Sequence, residues 1–186
     1  MIRKEAMKII LDQITLSPII SANGFMSRDL FELKEKISNF YMIGSMGLAS
    51  SIGLGVALKN PRKKIYVFDG DGNILMNLGS LVTTGYLRPK NLIHIIFDNN
   101  SHESTGGQPT ASNEIELSKF GQVCNYKVFT ITDKTSLKNC FKKIKKINQS
   151  VMLVIKISKS DVRSHRVSLK PEFIKKRFMN SLKLKK

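Results

Sequence analysis

Two short apolar runs, each ending on an acidic residue, constrain this chain more than any other feature. Lys64-Ile65-Tyr66-Val67-Phe68 stops at Asp69-Gly70-Asp71-Gly72, and Leu92-Ile93-His94-Ile95-Ile96-Phe97 stops at Asp98-Asn99-Asn100. Runs rich in β-branched and aromatic residues and bounded by turn formers predict strands; the absence of polar alternation predicts burial on both faces, as in a parallel sheet. Between them, Ile74, Leu75, Leu78, Leu81, Val82 and Tyr86 recur at three- and four-residue spacing. That spacing predicts a helix over 73–87 that crosses back over the sheet. In open α/β sheets, ligands sit in the crevice beyond the carboxyl ends of the strands, where Asp71 and Asn99 both fall.

These residue types suit a hard cation. Magnesium takes oxygen ligands, commonly one or two from protein, and leaves its other positions to water and phosphate. Asp71 offers a carboxylate oxygen, Asn99 a carboxamide oxygen, and the backbone carbonyl of Ser101 a third. Gly70 and Gly72 let the backbone turn and approach a ligand with no Cβ in the way, and a helix starting at Asn73 would point free amides at a diphosphate. An isolated Gly-Asp-Gly is more often only a turn. The flanking strands, the helix and the second strand end distinguish this one. Counting along the second strand favours Asn99 over Asn100 as the ligand, with both left open.

The segments from Tyr41-Met42-Ile43-Gly44-Ser45-Met46-Gly47 to Gly55, from Asp69-Gly70-Asp71-Gly72-Asn73 to Gly79, and from Asp98-Asn99-Asn100-Ser101-His102-Glu103-Ser104-Thr105 to Thr110 together resemble the diphosphate-binding domain of thiamine diphosphate-dependent enzymes. The resemblance is strongest to the sulfopyruvate decarboxylase beta subunit and the carboxyl-terminal half of phosphonopyruvate decarboxylase. It implies thiamine diphosphate and Mg2+ as cofactors, with Asp71, Asn99 and the Ser101 carbonyl on the metal. Gly70, Gly72 and Asn73 would contact the diphosphate. The Gly44 carbonyl would meet the aminopyrimidine, with Ser45 beside it and Met46 wedged under the bent cofactor. Without the downstream motif, the 44–55 stretch reads as a close-packed helix. The polar loop 101–110 follows a strand, where substrate contacts are common, so His102, Glu103, Ser104 and Thr105 are candidates for the reacting end of the site, His102 also against the cofactor, with a merely solvated loop as the alternative.

The implied reaction is decarboxylation of a small anionic 2-oxoacid, a 3-substituted pyruvate, releasing carbon dioxide and an aldehyde; a carboligase is the alternative. In the family, the glutamate that activates the cofactor comes from a second, pyrimidine-binding domain. The resemblance therefore implies a hetero-oligomer such as α2β2, in which a partner subunit supplies that glutamate and this chain alone is inactive.

The formal net charge of +17 in 186 residues is a rival signal, because clustered Lys and Arg bind nucleic acid by neutralising phosphates. Its location argues otherwise. Eleven Lys or Arg against two acids lie in 156–186, Lys134 to Lys146 reads as a Lys-rich helix face, and the region 44–112 is nearly balanced. No segment approaches the roughly eighteen uninterrupted apolar residues of a membrane helix, and the amino-terminal segment lacks a secretory pattern. A cytoplasmic protein without membrane partners is expected. Cys124 and Cys140 have no neighbouring Cys or His, which argues against zinc and gives no support to a disulfide. His94, inside an apolar strand, reads as a hydrogen-bonded core residue.

The remaining pattern predicts helices over 4–14, 28–37 (capped by Ser27), 46–58, 114–122, 136–147 and 171–182, and strands over 19–22, 127–130 and 151–157. The expected fold is α/β, a doubly wound parallel sheet of five or six strands with helices on both faces. Residues 1–160 would form the cofactor-binding domain and 161–186 a basic carboxyl-terminal arm or helix.

Overall fold

The computed structural model describes residues 1–183. The chain runs α1 (Arg3–Gln13), β1 (Ile19–Ser21), α2 (Phe25–Leu33), β2 (Asn39–Tyr41), α3 (Ala49–Lys59), β3 (Ile65–Gly70), α4 (Asp71–Leu75), α5 (Gly79–Leu87) and β4 (Leu92–Asp98). A two-stranded hairpin follows, β5 (Ser101–His102) with β6 (Gln108–Pro109), then α6 (Leu117–Val123), β7 (Lys127–Ile131), α7 (Lys134–Ile144), β8 (Val151–Lys156) and α8 (Pro171–Lys183). Six strands form one parallel sheet in the order β2-β1-β3-β4-β8-β7, as the expected doubly wound architecture requires. The central pair β3 and β4 is in register from Ile65 opposite Leu92 to Gly70 opposite Phe97, so the acidic loop ends emerge side by side.

Alternation along the strands divides the interior, because successive side chains point to opposite faces. Ile93, Ile95 and Phe97 of β4, with Leu153 and Ile155 of β8, join α1 and α7 through Met7, Ile10, Phe141 and Ile144. Ile96, Met152 and Val154 join α4, α5 and α6 through Ile74, Leu81 and Leu117 on the other face. With helices on both faces, both central strands are buried along nearly their whole length. His94 is a polar group on a central strand. It is fully buried, and its Nε2 lies 2.9 Å from Asp69 Oδ2.

Several boundaries differ from the sequence expectation. The helix predicted over 73–87 starts at Asp71 and is broken between Leu75 and Gly79. The Asn77 side-chain amide donates to the Gly47 carbonyl (3.1 Å), while the Asn77 backbone carbonyl accepts from the Ser80 hydroxyl (2.8 Å); the chain bends there to tie in the 44–48 loop. Ser27 is not a cap. Helix α2 begins after Gly24, whose φ of 72° suits glycine, and the Ser27 hydroxyl instead donates to the carbonyls of Ser21 and Ala22. Helix α3 begins at Ala49 rather than at 46, because Ser45 and Gly47 are both left-handed. Edge strand β2 is three residues long, too short to show a period, and sequence reasoning misses it.

Helix α8 buries Ile174 and Phe178, the latter with its ring 5.3 Å from that of Phe40. Residues 184–186 of the expected arm lie outside the described residues. Cys124 and Cys140 are both free. No helix among the described residues is long and apolar enough to cross a membrane.

Gly85 shows how closely α5 lies against the turn after α6. A Cβ there would sit 2.1 Å from the backbone oxygen of Cys124, and a backbone atom cannot swing aside as a flexible side chain can. Gly85→Ala is expected to destabilise the chain by about 2 kcal/mol, the overpacking cost exceeding the gain in helix propensity. A urea unfolding midpoint no lower than wild type would contradict that packing.

Candidate cofactor site

The carboxyl ends of β1, β3 and β4 open onto one cleft of about 110 Å³. Asp71 is the first residue of α4 and follows β3 directly, so the strand fixes where its side chain emerges. Asp71 is only 3% exposed. Oδ2 accepts from the hydroxyls of Thr110 (2.6 Å) and Ser112 (3.2 Å). Burial is the main influence on its pKa and raises it; the Thr110 hydroxyl pulls the other way, and the negative charge of Asp98 adds to the rise. A buried carboxylate with its pKa pushed up is short of positive charge, and a bound cation would supply it.

Asn99 follows β4 and lines the same cleft. Its Oδ1 accepts from the Ser101 amide (3.1 Å), and its Nδ2 donates to Glu103 Oε2 (3.0 Å). This fixes the carboxamide with its oxygen toward the turn. Asn100 is left-handed (φ 56°) and its side-chain Nδ2 donates to Ser112 Oγ; it does not line the cleft. Ser101 does, and its buried hydroxyl has no hydrogen-bond partner among the described residues. One carboxylate, one carboxamide and one backbone carbonyl make an all-oxygen donor set, which fits Mg2+, and the orphaned Ser101 hydroxyl leaves polar capacity for a ligand.

The other sequence-predicted residues divide plainly. Met46, Gly70, Gly72, Asn73, His102, Glu103, Ser104 and Thr105 all line this cleft. Gly44 and Ser45 do not; they lie on exposed backbone along a separate groove with Phe40, Leu48 and Ile174. The space above Gly72 is taken by an imidazole: a Cβ there would lie 2.5 Å from His102 Nδ1. The Asn73 side chain is occupied as well. Its amide donates to Asp69 Oδ1 and its carbonyl accepts from the Gly47 amide (3.0 Å), so it ties the 44–48 loop to the sheet while keeping one N–H and one lone pair uncommitted.

Glu103 is equally committed. Oε2 accepts from Arg3 Nη1 as well as Asn99, and Oε1 accepts from the Ser160 amide (3.1 Å). Arg3 in turn donates through Nε to Asp29 Oδ2 (2.7 Å), and Ser164 donates to Asp29 Oδ1 (2.6 Å). A buried network thus runs from Asp29 through Arg3 and Glu103 to Asn99. Sequence reasoning misses Arg3, Asn23, Phe25, Met26 and Phe97, which also line the cleft. Asn23 and Phe25 had a signal, since they follow a third strand at the same sheet edge. Arg3 had none, being one of three basic residues in a helix of mixed charge.

Comparisons with known proteins identify the family. Residues 24–157 match the family described as "Thiamine pyrophosphate enzyme, C-terminal TPP binding domain". The chain is 38% identical over 183 residues to the sulfopyruvate decarboxylase subunit beta of Methanocaldococcus jannaschii, covering 97% of each. It is 47% identical over 109 residues to the phosphonopyruvate decarboxylase of Streptomyces viridochromogenes, covering 59% of this chain and 27% of that one. Among solved structures, benzoylformate decarboxylase from Polynucleobacter necessarius superposes with a TM-score of 0.69 at 13% identity, over 85% of this chain and 33% of that one; this likeness concerns the fold. From the matched model and the near full-length similarity, the chain belongs to the family of thiamine pyrophosphate enzyme C-terminal TPP-binding domains.

Proposed function

We propose that this chain is the diphosphate-side subunit of a heteromeric thiamine diphosphate- and Mg2+-dependent decarboxylase acting on a 3-substituted pyruvate of the sulfopyruvate or phosphonopyruvate type. The observation that carries this reading is the oxygen donor set of Asp71, Asn99 and Ser101 on one cleft at the ends of the two central strands. Asp71, Asn99 and the Ser101 carbonyl would hold the metal, and the backbone of Gly70, Gly72 and Asn73 would border the diphosphate. Met46 would support the cofactor from the cleft wall, with Gly44 and Ser45 at the pyrimidine end. When bound, thiamine diphosphate supplies the electron sink that the loss of carbon dioxide needs.

In this reading the chain's own part is to bind, orient and exclude water. Glu103 acts through Asn99, which it holds in place, and is a positioning residue. His102, with its ring over Gly72, together with Ser104 and Thr105 on the exposed loop, faces the reacting end and could pass a proton to the product. A partner subunit would supply the activating glutamate, in αβ pairs assembled as α2β2 or larger. Residues 1–160 would be the cofactor domain and 161–186 a basic arm, and the assembly would work in the cytoplasm.

Co-purification with a pyrimidine-side subunit, followed by assay of carbon dioxide release from sulfopyruvate, phosphonopyruvate and pyruvate, tests this. The complex is expected to decarboxylate at least one anion-tailed oxoacid, and this chain alone none. A complex that releases no carbon dioxide from any of them would sink the reading.

A further inference from the structure

Three guanidinium groups converge on one aromatic ring at the edge of the cleft. The Arg28, Arg3 and Arg163 guanidinium carbons lie 5.0, 5.5 and 6.0 Å from the centroid of Phe25, and Phe25 and Arg3 both line the cleft. The three differ in what neutralises them. Arg3 is buried and paired with Asp29 and Glu103, whereas neither Arg28 nor Arg163 makes an ion pair with any acid among the described residues. The ring accounts for part of their placement, since a guanidinium is attracted to an aromatic face. It supplies no counter-charge, and two like charges held near one ring repel each other.

Arg163 is also held in place. The segment carrying it is pinned on one side by the Ser160 amide on Glu103 Oε1 and on the other by the Ser164 hydroxyl on Asp29 Oδ1. Those two acids are the partners of Arg3, so the Asp29–Arg3–Glu103 network that orients Asn99 also positions Arg163 beside Phe25. Arg28 reaches the ring from α2, one turn along from Phe25 itself. Planar forks with five N–H donors recognise oxyanions by paired hydrogen bonds.

We propose that Arg28 and Arg163, stacked about Phe25, form an anion-binding rim that takes a tetrahedral oxyanion carried by a ligand in the cleft. Resting on the function proposed above, that oxyanion has two chemically equivalent sources: the sulfonate or phosphonate tail of the substrate, or the terminal phosphate of the cofactor. Because the rim lies outside the metal-binding set, its role is in affinity and selectivity.

The test uses the full chain, alone and in complex with its pyrimidine-side subunit. Binding of 3-sulfopropionate, succinate and Mg2+-thiamine diphosphate is measured by calorimetry for wild type, Arg28→Ala/Arg163→Ala and Arg28→Lys/Arg163→Lys. If the tail is the occupant, the alanine pair weakens 3-sulfopropionate binding at least ~10-fold, the expected loss of charge-assisted hydrogen bonds. Succinate and cofactor binding then change little, and the lysine pair recovers part of the affinity. If the cofactor phosphate is the occupant, thiamine diphosphate affinity falls by that factor and 3-sulfopropionate binding does not change. Equal affinities of wild type and the alanine pair for both probes, or no binding of either probe by wild type, overturns the proposal. Melting curves establish that the pair folds. Carbon dioxide release by the wild-type complex separates this result from the function itself: a complex without turnover on any 2-oxoacid overturns the decarboxylase reading, while probe binding still decides the rim.

Discussion

Replacing Asp71 with alanine is expected to remove Mg2+-dependent binding of thiamine diphosphate, with a loss of affinity of at least ~100-fold. Asp71 is the sole carboxylate among the three proposed metal donors, and even changes behind the ligands of a metal site typically cost about 10- to 100-fold. Calorimetry with Mg2+-thiamine diphosphate on the chain with its partner subunit reads the effect directly. The same side chain should cost the cofactor-free protein stability, because burial disfavours its charged form. Asp71→Asn keeps an oxygen to accept from Thr110 and Ser112 and removes the buried charge. The asparagine variant is therefore expected to melt no lower than wild type in the absence of cofactor while binding it as poorly as the alanine variant. Cofactor affinity unchanged in Asp71→Ala would end the metal-site assignment.

Arg3→Met should be the most destabilising single change in the cleft wall. Methionine fills similar volume but leaves Asp29, 1% exposed, and the Glu103 carboxylate without their shared cation. Uncompensated buried charge of this kind costs about 3–5 kcal/mol. Urea unfolding of the cofactor-free chain measures it. A triple variant, Arg3→Met with Asp29→Asn and Glu103→Gln, removes all three charges and is expected to recover more than half of the loss. Arg3→Met should also weaken Mg2+ binding, because Glu103 then keeps only the Ser160 amide as an anchor and orients Asn99 less firmly. A stability loss under about 1 kcal/mol would mean that the network is not coupled as its hydrogen bonds suggest.

What the sequence made legible follows from what periodicity can carry. The central strands and the oxygen donors at their ends were visible because each strand is long enough to show an uninterrupted apolar run, and each run stops at a residue with evident chemistry. Strand β2, with three residues, had no pattern to show. The break between α4 and α5 was hidden for a different reason. Ile74, Leu78 and Leu81 keep helical spacing across it, while the interruption is made by Asn77 reaching a loop some thirty positions earlier in the chain. Side-chain commitments of that range leave no local trace. The roles of Glu103 and Asn73 illustrate the same limit, since both looked available for chemistry on a polar loop or helix start. Their partners, Arg3, Ser160, Asp69 and Gly47, become apparent only once the strands are side by side.

The placement of Asp71 and Asn99 just beyond two directly hydrogen-bonded strands has a thermodynamic consequence. Their separation is set by the ladder between β3 and β4, whose neighbouring backbones lie about 4.8 Å apart in any sheet, and not by a loop that must close around the ion. Metal and cofactor should then load onto an already assembled seat, with a small change in heat capacity and little protection of new amides from hydrogen exchange in these strands. Any ordering on loading is expected in the exposed part of the hairpin loop beyond Ser101.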